Sequence, residues 1–175
     1  MLSHGPMSLY PCVPQFTKML DNLDKWLTKA EEHAKAKSFD PNVLCAARLA
    51  PDQYQLTRQV QAACDAAKFA AARASGKAPP AHPDTETTME QLHARVRSVV
   101  EYLRTFQASD FEGAETRLVP LSFMPGKGMK SDDYMMEMAV PNFYFHINMA
   151  YAILRHNGVP VGKIDYIGSI TLQDM

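Results

Sequence analysis

An all-α domain folded as a four-helix bundle is the fold class this sequence predicts, and three observations predict it. Apolar side chains recur at three- and four-residue steps in four long segments, the pattern of a helix with one buried face. Prolines stand at the starts or beyond the ends of these segments, and glycines follow two of them. The chain's 175 residues, 46% of them hydrophobic and 21% charged, make about one domain that can bury a core without disulfides or a structural metal. Four helices with one apolar stripe each bury those stripes best against one another.

The first helix is expected over residues 13–37, with Phe16, Met19, Leu20, Leu23, Trp26, Leu27, Ala30 and Ala34 on one stripe. Pro11 and Pro14 fit only at its start, where backbone N–H groups have no helical partner. Residues 38–51 read as a connector broken by Pro41 and Pro51. The second helix is expected over 52–75, its apolar line running through Leu56, Val60, Ala63, Ala67 and Ala70, and Gly76 closes it. Its many alanines allow a neighbouring helix to approach closely. Residues 77–84, with Pro79, Pro80 and Pro83, form a stiff extended link able to run much of a helix length.

The third helix opens on a capping-box pattern, Thr87 followed by Glu90, and its stripe is Met89, Leu92, Val96, Val99, Val100 and Leu103. Beyond Phe106 the period changes. Residues 116–123 and 134–140 favour short extended pieces, and Pro125, Gly126 and Gly128 between them make a hairpin insertion plausible. The fourth helix begins at Pro141 and ends with Arg155, His156, Gly158 and Pro160. Its inward stripe reads Asn142, His146, Met149, Ala150 and Ile153. Residues 1–7 read as a flexible leader, 8–168 as the domain and 169–175 as a tail; from Val161 on the chain is expected to be irregular or extended.

The net charge of −1 and the dispersed lysines offer no basic field, so neither nucleic acid nor membrane is an expected partner. No apolar run approaches the ~20 residues of a membrane span, and the first 14 residues lack the charged start and apolar stretch of a secretory leader. Cys12, Cys45 and Cys64 have no zinc or redox spacing, so reduced thiols in a cytoplasmic protein are expected.

The informative oddity is polarity inside the fourth helix. Asn142 and His146 are one turn apart on one face, and a buried Asn or His needs hydrogen-bond partners. In the second helix Gln59, Gln61 and Asp65 are the polar groups nearest the middle, with Gln59 best placed to meet His146. The ligand-binding candidates are therefore Gln59, Gln61, Asn142 and His146. His146 is the candidate catalytic group and the candidate metal ligand, though amides are poor partners for a transition metal. A polar network that fixes helix register explains the same residues without a ligand.

Elsewhere His33, His93 and His156 read as surface histidines, and His82 as exposed in the Pro-rich link. Arg48, Asp52 and Arg58 read as a salt-bridged corner, or as a helix start able to hold an anion. Pro125, Gly126, Lys127 and Gly128 read as a turn, lacking the spacing of a phosphate loop. No nucleophile elbow, paired-histidine zinc motif or dinucleotide fingerprint is present.

The run Pro141, Asn142, Phe143, Tyr144, Phe145, His146 resembles an uncharacterised bacterial family within the DinB-like superfamily, as does the stretch from Ala150 to Val159. So do Ser8, Leu9, Tyr10; Arg48, Leu49, Ala50, Pro51, Asp52; Arg58, Gln59, Val60, Gln61; and Gly162, Lys163, Ile164, Asp165. The resemblance covers nearly the whole chain. It implies an up-down-down-up bundle with parallel second and third helices, often as a homodimer. Many relatives bind a divalent metal through three histidines, and some are metal-dependent enzymes, including thiol-dependent transferases and isomerases. Here the second histidine of the fourth-helix pair falls on His146 and the first on Asn142, while Gln59 or Gln61 stands in the region of the second-helix histidine. Three readings follow: a small-molecule pocket without strong metal dependence, a metal-dependent enzyme of the thiol-dependent transferase type, and a structural or self-associating domain without catalysis.

Overall fold

The computed structural model describes residues 8–174; the leader expected over 1–7 lies outside the described residues. Helix α1 spans Cys12–Lys37, α2 Leu56–Ser75, α3 Met89–Arg104 and α4 Val140–His156. A two-stranded antiparallel hairpin, β1 Leu118–Pro120 and β2 Gly128–Lys130, lies between α3 and α4, and a short α5, Lys163–Ile167, follows α4.

Cross-helix partners fix the helix directions. Asp21 meets Arg104, and His93 meets both Asp24 and Glu31, so α1 and α3 are antiparallel. Phe16 packs on Phe143 and Trp26 on Tyr151, so α1 and α4 are parallel. Gln59 meets His146 and Arg73 meets Tyr134, so α2 and α4 are antiparallel. The link after α2 runs back along it: His82 sits by Lys68, Asp84 by Arg58 and Glu86 by Gln61. Helix α3 therefore starts beside the start of α2, and the order is up-down-down-up. The core fills the centre with Phe16, Leu20, Trp26, Leu56, Leu92 and Phe143, all essentially buried.

Several boundaries differ from expectation for local reasons. Helix α2 begins at Leu56, because residues 50–53 are taken up in a turn closed by Gln53 N–H to the Ala50 carbonyl at 3.1 Å. The preceding connector contains a 3₁₀ helix, Pro41–Ala46, which buries Leu44. The α3 box is built one residue later, on Thr88 and Gln91, since Gln91 reaches back to the Thr88 N–H at 3.2 Å. Gly76 takes φ +78°, and a Cβ there would lie 2.8 Å from the Arg117 guanidinium, which itself caps the Ala74 carbonyl at 2.7 Å.

The hairpin is present, but its second strand is Gly128–Lys130 and not the segment at 134–140. That segment is helical: a wide π-turn, Tyr134–Ala139, runs straight into α4. Pro141 has no N–H to give the carbonyl four residues back, and its ring crowds that carbonyl; widening the preceding turn relieves both problems. The tail also differs. Residues 163–167 form α5 and dock on α1, where Trp26 Nε1 donates to the Asp165 carbonyl at 3.0 Å and Lys29 pairs with Asp165 at 2.6 Å.

Candidate functional site

Helix α2 packs against α4 along one face and against α3 and the link along another. Its alanine-rich face, with Ala63, Ala67, Ala70 and Ala74 fully buried, brings α4 close enough for side chains to meet. Gln59 and His146 do meet: His146 Nδ1 lies 2.8 Å from Gln59 Oε1, with Gln59 2% and His146 9% exposed. Beside them a cleft of about 200 Å³ opens between α2 and α4, with Arg58, Arg73, Tyr134, Asn142 and His146 among its walls.

The four predicted site residues are only partly brought together. Asn142 shares the cleft with His146 but is exposed at its lip. The inward face of α4 is centred on Phe143, Ile147, Ala150 and Leu154. At about 100° per residue, His146 is at the edge of that arc and Asn142 about 40° further round. Met149, also expected inside, is half-buried. Gln61 is buried but faces the link, donating to Glu86 Oε2 at 2.8 Å, and does not line the cleft.

The protonation of His146 follows from its partners. Gln59 Nε2 is turned to the Tyr54 carbonyl at 3.4 Å, so Gln59 presents its oxygen to the imidazole. An amide oxygen only accepts, so Nδ1 carries the proton and Nε2 the lone pair. Burial pushes the imidazole below the ordinary histidine range, and the nearby Arg58 charge pushes the same way. Among the described residues Nε2 has no hydrogen-bond partner. The site therefore holds a neutral imidazole with a free acceptor nitrogen at the wall of a cleft.

A second polar cluster escaped the sequence reading. On the adjoining face of α2, and sharing Asp65 with the cleft, Arg95 from α3 is 1% exposed and bonds Asp65 at 2.8 Å, Glu86 at 3.0 Å and Asp84 at 3.3 Å. Lys68, equally buried, pairs with Asp65 at 2.8 Å and reaches His82 Nδ1 at 3.3 Å, while His82 Nε2 meets Ser98 at 2.9 Å. His82 is thus half-buried and partnered, and burial lowers its pKa ahead of the Lys68 and Arg95 charges. The signal was in the periodicity: Lys68 follows Val60, Cys64 and Ala67 on the buried face, and Arg95 stands three residues after Leu92.

Two smaller expectations change. His93 is buried between Asp24 and Glu31, because the charge-rich face of α3 packs on the charge-rich face of α1. Arg48, Asp52 and Arg58 do not form a mutual salt bridge: Arg48 bonds the Pro51 carbonyl and Gln55, and Arg58 bonds Asp84. Cys12, Cys45 and Cys64 are free, and burial pushes the Cys64 thiol up to about 12, leaving it no nucleophile.

The residues around His146 do not fit the divalent metal that the resemblance implies. Among the described residues no three His, Cys, Asp or Glu side chains converge on one point. His146 shares its cleft with an amide, Asn142, and the cationic Arg58, while Asp65 is already paired to Lys68 and Arg95. One imidazole beside a guanidinium is a poor cation site. No described helix is long and apolar enough to cross a membrane.

Comparison with known proteins agrees with this architecture. The crystal structure of a DinB family member protein from Shewanella denitrificans is 46% identical in sequence and superposes with a TM-score of 0.92, over 95% of this chain and 96% of that one. No curated protein matches the chain. The family model for a domain of unknown function, DUF1993, matches residues 9–167, and with both findings the chain belongs to this DinB-like family.

Proposed function

We propose that this protein binds a small molecule in the cleft between α2 and α4, with His146 Nε2 as the group that accepts a hydrogen bond, or a proton, from it. One observation carries the reading: a neutral imidazole, held through Nδ1 by Gln59, keeps Nε2 without a hydrogen-bond partner among the described residues beside a cleft of about 200 Å³. Nε2 is an acceptor that the described residues leave free at the cleft wall, which is where a ligand's donor would meet it. Asn142 at the lip adds a donor and an acceptor, and Gln61 acts from behind by holding the link through Glu86.

A thermal-shift screen of small polar molecules on wild type and His146→Ala tests this. The expected result is a set of ligands that raise the wild-type midpoint and leave the variant unmoved. A ligand that stabilises both equally would remove His146 from the site. Metal analysis of the purified protein is the companion measurement, and stoichiometric zinc, nickel or manganese lost in His146→Ala would replace this reading by a metal-dependent one. The same reading places the domain over residues 8–168, as a homodimer in the cytoplasm; light scattering that gives a monomer would remove the dimer.

A further inference from the structure

The charge around the cleft narrows what it takes. Arg58 and Arg73 both line it, one near His146 and the other by Tyr134 at the opposite end. The acidic wall residue, Asp65, lies 2.8 Å from both Lys68 and Arg95 and contributes no unneutralised charge. Ala62 and Ala66 keep the floor of the cleft low beside Arg58, and Phe69 walls it next to Arg73. Arg58 is itself paired with Asp84 of the link, so the positive charge left without a carboxylate partner among the described residues is that of Arg73.

Arg58 is held at one end only. Its Nη1 bonds Asp84 and Gln61, the latter at 3.4 Å, and its Nε and Nη2 make no hydrogen bond among the described residues. The Nε–Nη2 edge is the fork that grips a carboxylate with two parallel bonds. The Arg58 side chain is 42% exposed, and an exposed ion pair such as Arg58–Asp84 is screened by solvent and rearranges at little cost. Arg58 is also the charge that the His146 imidazole feels most directly. A ligand bridging the two therefore carries an anionic group for Arg58 and a hydrogen-bond donor for Nε2.

We propose that the α2–α4 cleft selects small hydroxycarboxylates, with the free edge of Arg58 gripping the carboxylate, His146 Nε2 accepting from the neighbouring hydroxyl, and Asp84 competing with the ligand for Arg58. This rests on the reading that the cleft binds a small molecule, and it adds the chemical class. Arg73, held by the Tyr134 hydroxyl at 2.8 Å and stacked over Phe69, offers a second cation to a ligand long enough to reach it.

The test is titration of full-length protein with lactate, malate, propionate and neutral lactamide, followed by the ring nitrogen signals of ¹⁵N-labelled His146 at low salt. The expected order is malate, then lactate, then lactamide, with lactate at least about tenfold tighter than lactamide, the size of one added charge-assisted bond. Propionate, lacking the hydroxyl, leaves the Nε2 signal unmoved. In Arg58→Gln the lactate preference over lactamide falls below about threefold, and in Asp84→Asn, which releases Arg58, lactate binds about two- to fivefold more tightly. Binding of lactamide with no preference for lactate overturns the hydroxycarboxylate assignment and leaves the cleft reading standing. If no probe moves the His146 signals and the broad thermal-shift screen finds no ligand, both fall together.

Discussion

On the side of α2 turned to α3, Lys68 and Arg95 are buried and bonded to Asp65, Asp84, Glu86 and His82. On the side turned to α4, one imidazole is buried, bonded through one nitrogen, and left with the other beside a cleft. Both faces put polar groups into a helical core, yet they do opposite things. The first joins two parallel helices to the link that makes them parallel, and nearly every polar atom is used up; Arg95 Nε alone is left over. The second retains an acceptor. A saturated network has nothing left to offer a ligand, so buried polarity by itself does not identify a site. An acceptor left without a partner at the wall of a cleft is what marks a candidate site.

The largest expected effect breaks the first face. Arg95→Ala removes the buried cation that Asp65, Asp84 and Glu86 share, leaving Asp65 to Lys68 and Glu86 to Gln61, and because breaking a buried ion pair is strongly destabilising, we expect a loss of about 3 kcal/mol in urea unfolding. Any ligand signal at His146 should persist in the folded fraction. An unchanged midpoint would mean the network is ornamental.

His146→Ala should be milder, about 1–2 kcal/mol, since it leaves Gln59 Oε1 unpaired and opens a small gap next to an existing cleft. A loss as large as that of Arg95→Ala would make His146 a structural residue and erase the contrast between the faces.

A smaller effect depends on pH. The folded-state pKa of His146 lies below its unfolded value of about 6.5, so the unfolded chain binds the proton more readily. The contribution is fully present above pH ~6.5 and is lost as pH falls from there through the folded pKa. His82 shifts in the same direction on the other face, so the comparison must be wild type against His146→Gln. We expect the two stability curves to converge below pH 6.5 on the scale of that histidine pKa. Parallel curves would contradict a neutral buried imidazole.

Asn142→Ala should have the smallest effect on stability, within about 0.5 kcal/mol, because the side chain is exposed. It should still weaken ligand binding at the lip. A large loss of stability would return Asn142 to the interior, where the sequence placed it.

The helices were legible because each carries a 3.6-residue apolar rhythm between strong start and stop residues. The parallel run of α2 and α3 was legible in three prolines that stiffen the link, together with the family resemblance. The Gln59–His146 contact was legible because two polar residues on apolar stripes of neighbouring helices need each other. Asn142 was misplaced because it sits near the edge of the buried arc, where 40° decides between core and solvent and a repeat of four residues cannot resolve it. The π-turn at Tyr134–Ala139 was read as extended because its wider turn follows neither the helical nor the alternating period.

By itself the sequence determined the four long helices and their apolar stripes, and that the fourth carries an imidazole inward, since these depend on spacing along one chain. Only the tertiary structure decided that Gln61 faces the link, that Lys68 and Arg95 share carboxylates, and that Arg58 and Arg73 share one cleft with His146. Those outcomes depend on where long, flexible polar side chains find partners on other elements. Hydrogen bonds and ion pairs are short-ranged and directional, so they are settled by how the helices pack, after the apolar pattern has chosen the helices themselves.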